Sequence, residues 1–147
     1  MDSTASLSIA HIIQLAVAPV FLLSGVGIFL TVLTNRLARL VDRARKIEDA
    51  AKSANAVELP QHKENLRMLG RRARMMNRAI TMSTVCALLV SVMVATLFFS
   101  GFLDRDLSTA IAVMFILAML SLISALLFFL REVFLAISSL RIGIQRE

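Results

Sequence analysis

The chain has 147 residues, of which 58% are hydrophobic, a formal net charge of +6 and a mean hydropathy of +0.79. A water-soluble domain is nearer to half apolar, so this composition favours a membrane protein. The single cysteine, Cys86, excludes an internal disulfide and a Cys-based metal site within one chain.

Three long stretches of the sequence carry no charged residue: Ser3 to Asn35, Ala79 to Leu103 and Leu107 to Leu130. Each exceeds the roughly 20 residues that cross the hydrocarbon core of a bilayer. We therefore predict an all-α membrane protein with three transmembrane helices. A cleaved signal peptide is the alternative for the first stretch, because Ala16 to Ala18 resembles a small-residue cleavage site, but no basic residue precedes it.

The distribution of charge predicts the direction of the helices. Residues 36–78 contain twelve of the sixteen Lys and Arg residues and five acidic ones. The positive-inside rule places this segment in the cytoplasm. The predicted order is residues 1–35 for the outer N-terminus and first span, 36–78 cytoplasmic, 79–103 for the second span, 104–106 as an outer turn, 107–130 for the third span, and 131–147 as a cytoplasmic tail helix.

The cytoplasmic segment has the pattern of a helical hairpin that resembles a coiled coil. Leucine and other small or apolar residues recur at alternating spacings of four and three on both arms, and residues 53–62 mark the reversal. The first arm carries Leu33, Leu37, Leu40, Ala44, Ile47 and Ala51, and the second carries Leu66, Leu69, Ala73, Met76 and Ile80. Each arm of about twenty residues would extend roughly 30 Å.

Basic residues crowd the membrane-proximal half of this hairpin, where each can attract an anionic lipid surface by about 1 kcal/mol. We expect lipid headgroup contacts from Arg36, Arg39, Arg71, Arg72, Arg74 and Arg78. Nucleic-acid binding is the weaker hypothesis, because no aromatic residues on which bases could stack are interleaved with these cations.

Two further patterns concern helix contacts. Along the second span, a series of small residues at every fourth position predicts close helix packing: Ser83, Ala87, Ser91 and Ala95. Exposed heptad seams favour a closed homo-oligomer. On the first span, one stripe of polar residues lies opposite the seam and would line an ion path if it faced a shared axis: Ser24, Thr31, Asn35, Asp42 and Asp49.

His11 and Gln14, one turn apart near the outer end of the first span, are further candidates for lining such a path or for solvation at the membrane edge. The alternative for the polar stripe is that its hydroxyls bond their own helix carbonyls and its aspartates are simply solvated. We find no motif of a phosphate loop, paired metal ligands or a nucleophile, so the sequence predicts no enzyme, no cofactor and no metal site.

Two motifs carry a family resemblance. The run from Leu33 to Arg45 and the ending Arg131 to Ala136 with Leu140 to Ile142 resemble the DUF2721 family of small bacterial membrane proteins. The resemblance implies a three-helix inner-membrane protein of uncharacterised function, and no functional residues follow from it. Two functions remain open: an ion-conducting homo-oligomer lined by the first helix, and a non-conducting scaffold or accessory subunit whose hairpin binds a cytoplasmic protein or anionic lipid.

Overall fold

The computed structural model consists of three long α-helices: α1 (Asp2–Ser53), α2 (Leu59–Leu103) and α3 (Ser108–Gly143). The structure describes the backbone of residues 2–53, 58–103 and 107–143, and the side chains of residues 10–53, 58–100 and 107–136. All three helices are long and apolar enough to cross a membrane. The predicted all-α fold class with three such helices is confirmed.

The helices begin and end where the local sequence permits. α1 is continuous through Pro19 and ends at Ser53. α2 begins at Leu59 with Pro60 in its first turn, where a missing backbone N–H leaves no helical hydrogen bond unmade. The backbone N–H of His62 donates to the Glu58 carbonyl at 3.3 Å, and Ile111 makes the equivalent bond to Leu107 at the start of α3.

Several of the predicted boundaries lie inside continuous helices. α1 includes the first predicted span and the first arm of the predicted cytoplasmic hairpin, and α2 includes the second arm and the second predicted span. α3 runs without a break from the third span to Gly143, which includes most of the predicted tail helix. The predicted outer turn, 104–106, and residues 54–57 of the predicted reversal lie outside the described residues.

The chain divides into two compact units. The first comprises Met1–Leu30 and Met82–Ile123, and its core is a cluster of Val26, Cys86, Val90 and Ala118. In this unit the hydroxyl of Ser121 donates to the Met82 carbonyl at 2.7 Å. Small residues on α3 therefore allow it to approach the α2 backbone closely.

The second unit comprises Thr31–Thr81 and Ser124–Glu147. Its buried side chains come from all three helices and include one carboxylate: Leu33, Leu40, Leu69, Met76, Ala79, Ala125 and Glu132. Four of them belong to the predicted heptad seams. The apolar periodicity thus identified the buried faces of α1 and α2 in this unit.

Candidate functional site

A buried carboxylate on α3 organises the candidate site. Glu132 is only 1% exposed and follows Ala125 by seven residues. Because seven residues make almost two helical turns, Glu132 lies on the same face of α3 as Ala125. The face that packs against other helices in this unit therefore carries an acid.

Two arginines from different helices neutralise this acid. Arg72 on α2 donates from Nη2 to Glu132 Oε1 at 2.8 Å and from Nε to the same oxygen at 3.3 Å. Arg36 on α1 places its Nη2 3.3 Å from Oε2. We call Glu132, Arg36 and Arg72 the carboxylate clamp, since it joins α1, α2 and α3.

The two arginines are not equivalent. The contact of Arg36 with Oε2 lacks hydrogen-bond geometry, so Oε2 has no hydrogen-bond partner among the described residues. The Arg36 guanidinium also lies over the ring of Phe129. Its Cζ atom is 5.1 Å from the ring centroid, which is a favourable cation–π distance. Arg72 is 19% exposed and Arg36 31%. Arg72 is therefore the principal partner of the acid.

The helical period explains why both arginines reach Glu132. Arg36 lies three residues after Leu33 and four before Leu40, and Arg72 has the same relation to Leu69 and Met76. Each arginine thus lies between two buried residues on the inward face of its helix. Sequence analysis missed the clamp, although an arginine at this position on both arms was the signal available.

A cleft of about 550 Å³ opens beside the clamp. Two more arginines of α1, Arg39 and Arg43, line it together with the clamp residues and three apolar side chains, Val32, Leu40 and Leu69. Four guanidiniums and one carboxylate give this arginine cleft a formal charge of +3. Guanidiniums donate in pairs to carboxylate and phosphate oxygens, so the cleft has the chemistry of an anion site with an apolar wall.

Comparison with known proteins identifies the family. The family model for DUF2721, a protein of unknown function, matches residues 16–142. The chain belongs to the DUF2721 family. No curated protein and no solved structure matches it. The resemblance predicted from the two sequence motifs is therefore confirmed over most of the chain, and the arginine cleft lies entirely within the matched region.

The predicted polar stripe of this DUF2721 protein lies on an exposed face of α1. All of its members are exposed: Ser24, Thr31, Asn35, Asp42 and Asp49. The Ser24 hydroxyl donates to the Val20 carbonyl of its own helix at 3.2 Å, and Asp49 forms a 3.0 Å ion pair with Lys52. His11 and Gln14 are exposed as well. Among the described residues, no group of three His, Cys, Asp or Glu side chains could hold a metal ion.

The small residues of α2 are divided between two environments. Ser83 is fully buried and Ala87 is half-buried, whereas Ser91 and Ala95 are exposed. The buried face of α2 in the first unit consists of Ser83, Cys86, Val90 and Met93, at spacings of three, four and three. The packing prediction for Ser91 and Ala95 therefore concerns a surface that the chain itself leaves open.

The predicted headgroup arginines fall into two groups. Arg36 and Arg72 belong to the carboxylate clamp and, with Arg39, line the arginine cleft. Arg71, Arg74 and Arg78 are exposed on α2. Contact with lipid headgroups remains a prediction for all six.

Proposed function

We propose that this DUF2721 protein is a non-catalytic, multi-pass scaffold of the bacterial inner membrane that binds anionic phospholipid headgroups in the arginine cleft. The observation that carries the proposal is the convergence of four arginines and an apolar wall in that cleft. The proposed topology has the N-terminus outside, residues 36–78 forming a cytoplasmic helical hairpin and the C-terminus in the cytoplasm.

The position of the cleft in the sequence supports lipid as the ligand. Arg36 is the first charged residue after the charge-free run of α1, and Glu132 follows the charge-free run of α3 by two residues. Charged residues that end such runs lie at the interface between hydrocarbon and water. With the proposed topology, the cleft faces the cytoplasmic leaflet, where anionic lipids attract basic residues.

The four arginines of the cleft have two different roles in this proposal. Glu132 already holds Arg36 and Arg72, and this leaves Arg39 and Arg43 as the donors for a lipid phosphate. They are four residues apart on one face of α1, and each has a planar fork of N–H donors suited to phosphate oxygens. Val32 and Leu40 offer apolar surface to the glycerol and the first acyl carbons.

The first test is the retention of lipid by purified protein in native mass spectrometry. We expect the wild-type protein to retain phosphatidylglycerol in preference to phosphatidylcholine. Replacing both Arg39 and Arg43 by glutamine should lower the affinity for anionic lipid roughly thirtyfold, since each arginine contributes about 1 kcal/mol. The control variant, Arg45→Gln with Lys46→Gln, removes the same charge from exposed positions outside the cleft and should retain lipid normally. Equal losses in the two variants would contradict a site in the cleft.

A homo-oligomer that conducts ions along α1 is the second candidate function. The exposure of the whole stripe from Ser24 to Asp49 favours it, because those side chains are available to face a shared axis. The bonds of Ser24 to its own helix and of Asp49 to Lys52 are those expected of a solvated face, so scaffolding ranks first.

Cation flux into proteoliposomes that contain the purified protein distinguishes these two candidates. The scaffold proposal predicts no flux above that of protein-free vesicles at any membrane potential. Flux that falls when Asp42 is replaced by asparagine would instead establish the conducting oligomer. Lys46→Gln, on a neighbouring turn, is the control for a general effect of surface charge.

A further inference from the structure

A line of five cations runs along one exposed face of α2. Its members are separated by four, four, three and four residues, and all are exposed: Lys63, Arg67, Arg71, Arg74 and Arg78. At 100° per residue these positions fall within an arc of about 80°. We call this line the basic stripe. Arg72 lies on the other side of the helix, where it contacts Glu132.

The middle of the basic stripe contains an open groove. Three apolar or small residues, Leu66, Met68 and Gly70, line it together with Pro60, Glu64 and the first four cations of the stripe. Met68 is 49% exposed. A Cβ atom added at Gly70 would meet only Arg74 Nη1, at 4.0 Å, so another backbone has room to approach there. Flexible methionine surfaces accept apolar side chains of varied shape.

The length of the stripe makes a flat lipid surface a poor partner for most of it. Lys63 and Arg78 are fifteen residues apart, which corresponds to about 22 Å along the helix axis. Arg78 directly precedes the charge-free run of α2 and is near headgroups in the proposed topology. Electrostatic attraction decays over about 8 Å at physiological salt, so the Lys63 end would lie beyond the reach of the bilayer.

Two other partners fit less well. A second copy of the chain would bring twelve basic and five acidic residues in its own 36–78 segment, and like charges repel. Nucleic acid has the right charge, but residues 36–78 contain no Phe, Tyr or Trp on which bases could stack. An acidic polypeptide with some apolar side chains matches both the line of cations and the exposed Met68 beside it.

We propose that the basic stripe is a docking surface for an acidic amphipathic helix of another cytoplasmic protein, whose carboxylates pair with Arg67, Arg71 and Arg74 and whose apolar side chains contact Met68, which is exposed beside the stripe. The inference rests on the cytoplasmic location proposed above for residues 36–78. It concerns a different surface from the arginine cleft, so the two can fail separately. The docked helix would give the scaffold a specific partner class.

The test is binding of two synthetic peptides to the full-length protein in phosphatidylcholine nanodiscs, measured by fluorescence anisotropy. One peptide is an amphipathic helix with glutamates along one face and leucines beside them, and the matched peptide has glutamine in place of glutamate. We expect the acidic peptide to bind, and its affinity to fall at high salt. Arg71→Glu with Arg74→Glu should weaken it by roughly tenfold or more. Arg45→Glu with Lys46→Glu, the matched reversal on α1, should change it by less than about threefold.

Three other results of these binding measurements would count against an acidic helix as the partner. Equal binding of the glutamine peptide, or equal loss in both charge-reversed variants, would overturn the proposal. Tighter binding of single-stranded RNA than of the acidic peptide, with the same dependence on Arg71 and Arg74, would assign the stripe to nucleic acid instead. Because both arginines are exposed, the variants should keep the wild-type circular dichroism spectrum. They should also retain anionic lipid in native mass spectrometry, which separates this result from the fate of the arginine cleft.

Discussion

Replacing Arg72 by methionine is expected to lower the free energy of unfolding by about 3–5 kcal/mol. The substitution removes both hydrogen bonds that Glu132 accepts and leaves a carboxylate that is 1% exposed beside Arg36 alone. A buried charge without its hydrogen-bonding partner is strongly destabilising, whereas methionine keeps most of the volume of the arginine side chain. Equilibrium unfolding of the detergent-solubilised protein, followed by circular dichroism, measures the loss.

Two controls separate charge from packing. Arg36→Met should cost less than half as much, because Arg36 is more exposed and makes no hydrogen bond to Glu132. The triple variant Arg36→Met, Arg72→Met and Glu132→Leu should recover most of the stability, since a buried ion cluster can be replaced by apolar residues of similar volume at little cost. If the triple variant were no more stable than Arg72→Met, the unpaired charge of Glu132 would not be the cause of the lost stability.

Ala118→Leu is expected to destabilise the first unit by about 1–3 kcal/mol. Ala118 is fully buried in the cluster with Val26, Cys86 and Val90, so a larger side chain forces the helices apart or into strained rotamers. The matched control is Ala112→Leu on the same helix, where the side chain is exposed and an apolar substitution suits lipid. We expect the control to stay within about 0.5 kcal/mol of wild type. Equal effects at the two positions in the same unfolding assay would contradict the packing described.

The helices and their buried faces could be predicted because each depends on periodicity along one element. The charge-free runs predicted three helices able to span a membrane, and the heptad positions predicted the burial of Leu33, Leu40, Leu69 and Met76. The series of small residues on α2 follows the buried face only at Ser83 and, in part, at Ala87. Each step of four residues rotates the position by 400°, which is 40° more than a full turn. After three steps, Ala95 therefore lies about 120° from Ser83 around the helix. The alternating spacing from Ser83 to Met93 stays on one face and is buried.

The carboxylate clamp depends on which faces of the three helices pack together. Periodicity within one helix shows which face is buried but not which residues of another helix it meets. The sequence placed Glu132 only within the predicted tail helix, 131–147, with no partner on another helix. Arg131 is exposed and Glu132 is buried, because residues adjacent in a helix point about 100° apart. The partners of Glu132 lie 60 or more residues away in the sequence, on α1 and α2. A long-range ion pair of this kind requires the packed structure.

The central claim, that the arginine cleft holds an anionic lipid, is tested most directly by photocrosslinking in nanodiscs. The probe is phosphatidylglycerol with a photoreactive group near its headgroup, and peptide mass spectrometry then locates the modified residues. We predict modification concentrated between Val32 and Arg43 on α1 and between Leu69 and Arg72 on α2, and lost in the Arg39→Gln, Arg43→Gln variant. Modification spread evenly around the ends of all three helices, unchanged in that variant, would show that the protein has no lipid site in this cleft.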